Sequence, residues 1–199
     1  MSLKVGITGG IGVGKTVCCK IFEILNVPVF YADKRAKLIM QNDAGVKLKI
    51  LKAFGEKSYT SNGELNRSYL SGKVFSNSEN TKLINRIVHP AVGVVLKQWF
   101  QNVTTPYAIY EAALMFESGS NQFLDKIIVV DAPLDLRVER VINRDDVDPE
   151  EVHNRISKQI PQLKKINQAD YVIRNDGSQS VLKQILEIHL NLMRCSIDA

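Results

Sequence analysis

Eight residues near the N-terminus carry the most specific chemical pattern in the chain, Gly-Gly-Ile-Gly-Val-Gly-Lys-Thr at positions 9–16. They follow a short apolar run and precede an amphipathic stretch, as a turn between a strand and a helix would. Glycines in such a turn let successive backbone N–H groups point at phosphate oxygens, which a Cβ atom would hinder. A plain glycine-rich turn would not place Lys15 and Thr16 in this register. The spacing therefore predicts a phosphate-binding loop for a nucleoside triphosphate.

Each polar residue of this phosphate loop (Gly9 to Thr16) has an expected role. Lys15 supplies a point charge to the outer phosphates, and the hydroxyl of Thr16 ligates Mg²⁺. The positive end of the following helix dipole adds to the same anion site. The expected nucleotide-binding residues here are Gly10, Ile11, Gly12, Val13, Gly14, Lys15 and Thr16.

One acidic residue follows the second apolar run, Val27 to Tyr31. Asp33 lies just past this predicted strand, at the carboxyl end where an open parallel sheet places its ligands. That position makes Asp33 a catalytic candidate. A second interpretation has equal weight on local sequence, because an aspartate is a common N-cap and could open a helix from Lys34 to Gln41. The two roles are compatible.

Two further acids end predicted strands. Glu111 closes the alternating run Tyr107 to Glu111, and Asp131 closes the apolar run Lys126 to Asp131. Either carboxylate could support the Mg²⁺ ion, and either could instead cap the helix that follows. Both interpretations stay open at this stage.

Arginines alternate with apolar positions in a predicted helix from Leu134 to Asn143 and just beyond it. Arg140 and Arg144 on a short helical hairpin match the lid of a small-molecule kinase, where a guanidinium stabilises the transferred phosphoryl group. Without the phosphate loop as context, a solvated face with helical ion pairs explains them better.

The order of the predicted elements indicates the fold class. Apolar runs alternate with amphipathic helices, which favours an α/β fold of the P-loop kinase type, with a five-stranded parallel sheet and helices on both faces. The stretch from Asp43 to Asn102 is mostly helical, with Ser78 as a cap and Pro90 as a break or kink. We expect this insertion to build the acceptor site, by analogy. The last helix is expected from Ser178 to Arg194 with a serine cap.

Composition limits the remaining possibilities. The chain has 199 residues, of which 45% are hydrophobic, which suits one compact domain. It lacks an apolar run of about 18 residues, so we expect a cytoplasmic protein with no membrane partner. The three cysteines fit neither a disulfide framework nor a metal site. The net charge of +5 is read as ordinary surface charge, so no nucleic-acid partner is expected. We expect a monomer.

An ordered set of short segments resembles the dephospho-CoA kinase family over nearly the whole chain. The opening Val5 to Thr16 and the segment Tyr31-Ala32-Asp33 followed by Ala36 carry the first part of the resemblance. The later matching segments are Phe54-Gly55, Asn62 to Arg67, Val74-Phe75, His89-Pro90, Leu114 to Gly119, Val129 to Asp131, Arg140 with Arg144-Asp145, Arg155 with Gln159, and Ala169 to Ile173 with Asn175 and Gly177. Singly these segments are weak signals; as an ordered set they are specific.

The resemblance implies the reaction: ATP phosphorylates the 3′-hydroxyl of the adenosine ribose of dephospho-CoA, giving CoA and ADP in the final step of coenzyme A synthesis. It implies that Asp33 orients and deprotonates the hydroxyl, that Lys15 and the loop amides hold the phosphates, and that Arg140 is a lid contact to phosphate. Further nucleotide-binding positions carried over are Arg144, Asn175 and Gly177.

The resemblance also implies one domain with three parts. The expected core covers about residues 1–33, 103–135 and 169–199. A helical CoA-binding insertion would cover about 34–102, and a helical lid about 136–168.

The chain departs from the family pattern at three places. Tyr31 stands where the family has the first acid of Asp-Ala-Asp, which bears on substrate contacts. Glu111-Ala112-Ala113 stands where an aspartate or apolar residue and a proline are usual, which bears on support of the metal. Thr16 replaces a serine, and its hydroxyl serves equally.

Three other functions are conceivable for a chain with a phosphate loop. A nucleotide-switched GTPase would need a guanine-reading Asn-Lys-x-Asp and an Asp-x-x-Gly switch, which the sequence lacks. A non-catalytic nucleotide-binding module would not need Lys15, Thr16 and Asp33 together. A nucleoside or nucleotide kinase on the same fold is the nearest alternative, and substrate competition separates it from a dephospho-CoA kinase.

Overall fold

The structure is a computed structural model that describes residues 2–75 and 77–196, without the side chain of Phe75. Residue 1 and residues 197–199, at the ends of the expected core, lie outside the described residues. The side chain of Phe75, part of the matching segment Val74-Phe75, lies outside them as well. The strands are β1 Leu3–Thr8, β2 Val29–Tyr31, β3 Tyr107–Glu111, β4 Lys126–Asp131 and β5 Tyr171–Arg174. They form one five-stranded parallel sheet in the order β2-β3-β1-β4-β5.

Strand β1 lies at the centre of the sheet, between the apolar strands β3 and β4. Val5 pairs with Ile109 of β3, and Ile7 pairs with Ile128 of β4. All four side chains are fully buried. Strands covered on both faces are near-continuously hydrophobic, which is why the predicted bounds of β3 and β4 are confirmed to the residue.

The chain forms two compact units, Met1–Phe30 with Val103–Ala199, and Tyr31–Asn102. The helices of the first unit are α1 Lys15–Ile24, α6 Leu134–Asp145, α7 Pro149–Ser157, α8 Gln162–Ile166 and α9 Val181–Cys195. Within it, α1 packs on β1 and β3, α8 on β4, and α9 on α1 and β5. Among the described residues, no helix is both long enough and apolar enough to cross a membrane.

The second unit is helical, as expected. Its helices are α2 Ala32–Asn42, α3 Ala44–Phe54, α4 Arg67–Phe75 and α5 Ser78–Gln101, with a short 3₁₀ turn at Glu56–Ser58. Helix α5 packs against α2, α3 and α4 through a buried stripe. That stripe consists of Ile84, Val88, Val92 and Leu96.

Of the break or kink expected at Pro90, the break is wrong, because α5 continues through the proline, and the kink stays a prediction. Proline removes one helical hydrogen bond and clashes with the preceding turn, which usually ends a helix. Here the apolar spacing of four residues continues on both sides of the proline, and the burial of Val88 and Val92 holds the two halves in one helix.

Two predicted serine caps are wrong. Helix α5 is capped by Asn77, whose side chain accepts from the Glu79 amide at 2.8 Å. Helix α9 begins later than predicted and is capped by Ser180. Ser178 is held outside the helix because both its amide and its hydroxyl donate to the Asp176 carboxylate, at 2.9 and 2.6 Å. Such local side-chain bonds compete with helix formation.

Candidate active site

The phosphate loop joins β1 to α1, as the sequence predicts. Gly12 and Gly14 have φ angles of 81° and 91°, in the left-handed region that favours glycine. Gly14 is the N-cap of α1, so the loop delivers its backbone directly into the helix N-terminus. Val13 is fully buried and anchors the loop in the first unit. The loop therefore has the fixed backbone that phosphate binding requires.

Lys15 and Thr16 are the first two residues of α1. The Lys15 ammonium donates to the carbonyl oxygens of Gly9 at 3.0 Å and Gly10 at 3.5 Å, so the side chain folds back over the loop. Thr16 is exposed at the helix start, where backbone amides lack intrahelical acceptors and the dipole is positive. Positive charge and donors thus converge on one anion site.

The first turns of α6 lie against the loop. The position that a Cβ of Gly12 would occupy is within 2.9 Å of the Arg137 backbone, which gives a steric reason for glycine in addition to its φ angle. The Arg137 Nε donates to the Ile11 carbonyl at 2.9 Å. Burial lowers the pKa of the Arg137 guanidinium, and the Asp131 carboxylate opposes that shift. Arg137 is not among the residues predicted from the sequence, because a contact across 126 residues has no local signature.

Arg140 and Asn175 meet at the loop. The Arg140 guanidinium donates to the Asn175 carbonyl at 3.0 Å and to the Gly12 carbonyl at 3.5 Å. The Asn175 side-chain amide donates to the Val13 carbonyl at 2.8 Å and occupies the space that a Cβ of Gly14 would need. The structure therefore brings together two of the residues expected to bind nucleotide and the loop itself.

Arg144 makes a different set of contacts. Its guanidinium pairs with the neighbouring Asp145 at 2.7 Å, and Asp145 also pairs with Arg155 at 2.9 Å. Hydrogen bonds from Arg144 first, and then from Arg155, lower the pKa of the Asp145 carboxyl, and the same bond raises the pKa of Arg144. Gly177 lies in the exposed turn after β5, with a φ angle of 85°.

Asp33 belongs to the second unit. It is the second residue of α2 and its side chain is exposed. The alternative role of Asp33 as N-cap is wrong, because Tyr31 holds that position. An acid in the first turn still interacts favourably with the helix dipole. The Lys34 ammonium lies 4.1 Å from the centre of the Tyr31 ring, so the tyrosine at the departure from the family pattern packs against a cation.

Two carboxylates flank the central strand. Glu111 at the end of β3 is buried, and Asp131 at the end of β4 is partly exposed. The sheet order places these strands on either side of β1, which leads into the loop. Within residues 2–75 and 77–196, no cluster of three or more histidine, cysteine or acidic residues forms a metal cage. The oxygen donors present suit Mg²⁺, which binds through few protein ligands and the substrate phosphates.

An ion pair with one buried member connects α8 to the segment after β3. Lys165 is fully buried, and its ammonium lies 3.0 Å from Glu117 and 3.5 Å from the Ala113 carbonyl. The same Glu117 oxygen accepts from the Ile160 amide at 2.9 Å. Sequence reasoning missed this pair because its members are far apart in the chain. It fixes the segment that leads into α8.

Charge is divided unevenly between the units. Residues 31–102 contain 12 Lys and Arg against 5 Asp and Glu, whereas the rest of the chain contains 14 against 16. The positive charge of the whole chain therefore lies in the helical second unit. The interpretation of the net charge as ordinary surface charge did not take this uneven distribution between the units into account.

The chain is similar to known dephospho-CoA kinases. A family model described as dephospho-CoA kinase matches residues 3–180. A dephospho-CoA kinase of Bacteroides fragilis is 36% identical over 189 residues, which cover 94% of this chain and 92% of the relative. A solved structure from Thermus thermophilus matches with a TM-score of 0.85 at 32% identity, covering 96% of this chain and 97% of its own. A dephospho-CoA kinase structure from Campylobacter jejuni matches with a TM-score of 0.72 at 26% identity, covering 98% and 99%. With the phosphate loop and this agreement over nearly all of its length, the chain belongs to the dephospho-CoA kinase family.

Proposed function

We propose that this protein transfers the γ-phosphoryl group of ATP to the 3′-hydroxyl of the adenosine ribose of dephospho-CoA, giving CoA and ADP. The observation that carries the proposal is the family match over residues 3–180, a span that contains the phosphate loop, Asp33, Arg140 and Asn175. The reaction is the final step of coenzyme A synthesis.

ATP binds through the phosphate loop, with the backbone amides of the second half of the loop and Lys15 on the phosphates. Arg140 supports this assignment because its guanidinium already lies against Gly12 and Asn175. It would neutralise charge on the transferred group, and Asn175 and Gly177 would line the adenine. Arg144, which pairs with Asp145, would reach the nucleotide only after that ion pair opens.

Mg²⁺ would be held by the hydroxyl of Thr16 together with the ATP phosphates, and Glu111 or Asp131 would be the supporting carboxylate. When bound, the metal neutralises charge that develops on the phosphates. Among the described residues a dedicated metal cage is absent, which agrees with a metal that arrives with ATP.

The helical second unit binds the acceptor, and residues about 136–168, which contain most of α6 together with α7 and α8, act as the lid. Residues 31–102 contain 12 basic and 5 acidic residues. This positive charge supports the second unit as the acceptor site, because dephospho-CoA carries a negatively charged diphosphate. We also propose that the protein acts as a monomer in the cytoplasm, which gel filtration and cell fractionation would test.

Asp33 orients the 3′-hydroxyl and accepts its proton. A carboxylate is too weak a base to remove the proton of an alcohol early in the reaction. In a loose phosphoryl-transfer transition state, the proton leaves late, once the new P–O bond is forming. The exposed Asp33 side chain at the start of α2 is accessible to a substrate.

The test compares two aspartates of the second unit by steady-state turnover and calorimetric ATP binding. Asp33→Asn should lower kcat by about 10²- to 10⁴-fold, the usual weight of a general base. Its Kd for ATP should not change. Asp43→Asn is the matched control, since Asp43 caps α3 through the Val46 amide at 2.8 Å and asparagine caps equally well. Full turnover in Asp33→Asn would overturn the assigned role. Absence of CoA formation by the wild type would overturn the function.

A further inference from the structure

The first half of the phosphate loop is held by side chains of the α6–α8 segment (residues 134–166). The Gln162 side-chain oxygen accepts from the Gly10 amide at 3.0 Å, and the Gln159 oxygen accepts from the Ile11 amide at 3.0 Å. Arg137 binds the carbonyl oxygen of Ile11. Both polar groups of Ile11 and the amide of Gly10 are therefore occupied by this segment.

Gln162 differs from Gln159 because both ends of its amide are used. Its nitrogen donates to the Val130 carbonyl at 2.9 Å while its oxygen accepts from Gly10. Val130 belongs to β4, the strand next to β1. The side chain thus bridges the sheet and the loop, and fixes where the Gly10 peptide lies relative to the strand that precedes it.

This bridge has a consequence for nucleotide binding. With the Gly10 and Ile11 amides occupied, the anion site is formed by the second half of the loop and the start of α1. A site whose backbone is held in the binding conformation avoids an ordering cost when its ligand arrives. Loss of the bridge would free the first half of the loop, and part of the ATP binding energy would then go into ordering it.

We propose that Gln162 is a positioning residue for ATP: its two-ended bridge from Val130 to Gly10, assisted by Gln159 and Arg137 at Ile11, holds the phosphate loop in its ATP-binding conformation. The inference rests on the proposed function only in that the loop binds ATP; it does not depend on the acceptor.

The experiment measures the Kd of ATP by titration calorimetry for Gln162→Met, which keeps the side-chain length and removes both hydrogen bonds. Kd should rise roughly tenfold, the weight of about one net hydrogen bond. The KM for ATP should rise with it, whereas kcat at saturating ATP and the KM for dephospho-CoA should stay near the wild-type values. A purely structural role would not produce this division between the two substrates.

Gln168→Met is the matched control. Gln168 is exposed, and its side-chain nitrogen donates at 3.0 Å to the carbonyl of Lys164, four residues earlier in the chain. Gln159→Met is a second variant that should change Kd in the same direction as Gln162→Met, and it serves if Gln162→Met fails to fold. In Gln162→Met and in Gln159→Met, hydrogen exchange of the Gly10 and Ile11 backbone amides should become faster.

Two results would overturn the inference. If the Kd of Gln162→Met for ATP equals that of Gln168→Met, the bridge does not position the loop. A Kd below the wild-type value would mean that Gln162 competes with phosphate for the Gly10 amide. If the wild type binds ATP but makes no CoA, the proposed function fails while the Kd comparison still decides the role of Gln162.

Discussion

Gly12 tests the packing of α6 on the phosphate loop, because two separate effects oppose a side chain there. Its φ angle of 81° is unfavourable for any L-residue with a Cβ. In addition, a Cβ at this position would lie 2.9 Å from Cα and from the carbonyl carbon of Arg137. The neighbour is backbone, which cannot move aside as the end of a long side chain can.

The two effects can be separated with a matched series of glycine-to-alanine variants. Gly119 has a similar φ of 73°, and its nearest contact to a built Cβ is the Gln122 side-chain nitrogen at 3.9 Å. Gly119→Ala should therefore cost only about 1–2 kcal/mol of folding free energy, the penalty for left-handed backbone. Gly12→Ala carries the same penalty and a further 1–3 kcal/mol or so of overpacking.

The overpacking term should appear in ATP binding, because the loop can relieve it only by moving away from α6. We expect Gly12→Ala to raise the Kd of ATP by about 5- to 150-fold, which corresponds to 1–3 kcal/mol. Gly10→Ala should have a smaller effect, because the neighbour that its Cβ would meet is the guanidinium end of the Arg137 side chain, which can shift more than backbone can.

Calorimetric ATP titrations and urea unfolding of the three variants check these expectations. The reasoning is refuted if Gly12→Ala binds ATP as tightly as the wild type, since α6 would then not pack on the loop. It is equally refuted if Gly119→Ala loses as much ATP affinity as Gly12→Ala, because backbone strain alone would then explain the loss.

Two further predictions follow from buried groups. Glu117→Gln should lower the free energy of unfolding by about 3–5 kcal/mol in urea titrations, because it leaves the fully buried Lys165 ammonium without its charge partner; an unchanged value would contradict the ion pair. Burial raises the pKa of the Cys18 thiol to about 12, and burial also raises the pKa of the Cys19 thiol. At pH 8, native protein should therefore be alkylated by iodoacetamide at the partly exposed Cys195 alone. The neutral Cys18 thiol stabilises the fold fully below its unfolded pKa of 9.0, and this contribution should be lost as the pH rises toward 12. Rapid modification of Cys18 in folded protein, seen by mass spectrometry, would contradict its burial.

The central strands and the phosphate loop could be predicted because their signals are local. A parallel strand covered on both faces appears as a run such as Ile127 to Val130, and its ends follow from the neighbouring polar residues. The loop combines a fixed spacing with residue types that phosphate chemistry requires. Pro90 misled because its local effect is overridden by helix packing on both sides.

The contacts that surround the loop could not be predicted, because they join residues more than one hundred positions apart. Arg137 and Arg140 belong to the same helix, yet Arg137 is buried against Ile11. Arg140 instead contacts Gly12 and Asn175. Arg144, one turn further, pairs with Asp145 instead. Helical periodicity does not distinguish these three environments. The positive charge of residues 31–102 was present in the sequence but was summed over the whole chain.

The central claim is that dephospho-CoA is the acceptor and that its 3′-hydroxyl is the atom phosphorylated. The most direct measurement is a ³¹P NMR record of the purified protein with ATP, Mg²⁺ and an equimolar mixture of dephospho-CoA and adenosine. The account predicts a new phosphomonoester signal coupled to the ribose H3′ of CoA, equal in amount to the ADP formed, while adenosine is left unchanged. Phosphorylation of adenosine in preference, or ATP binding without any new phosphomonoester, would contradict it.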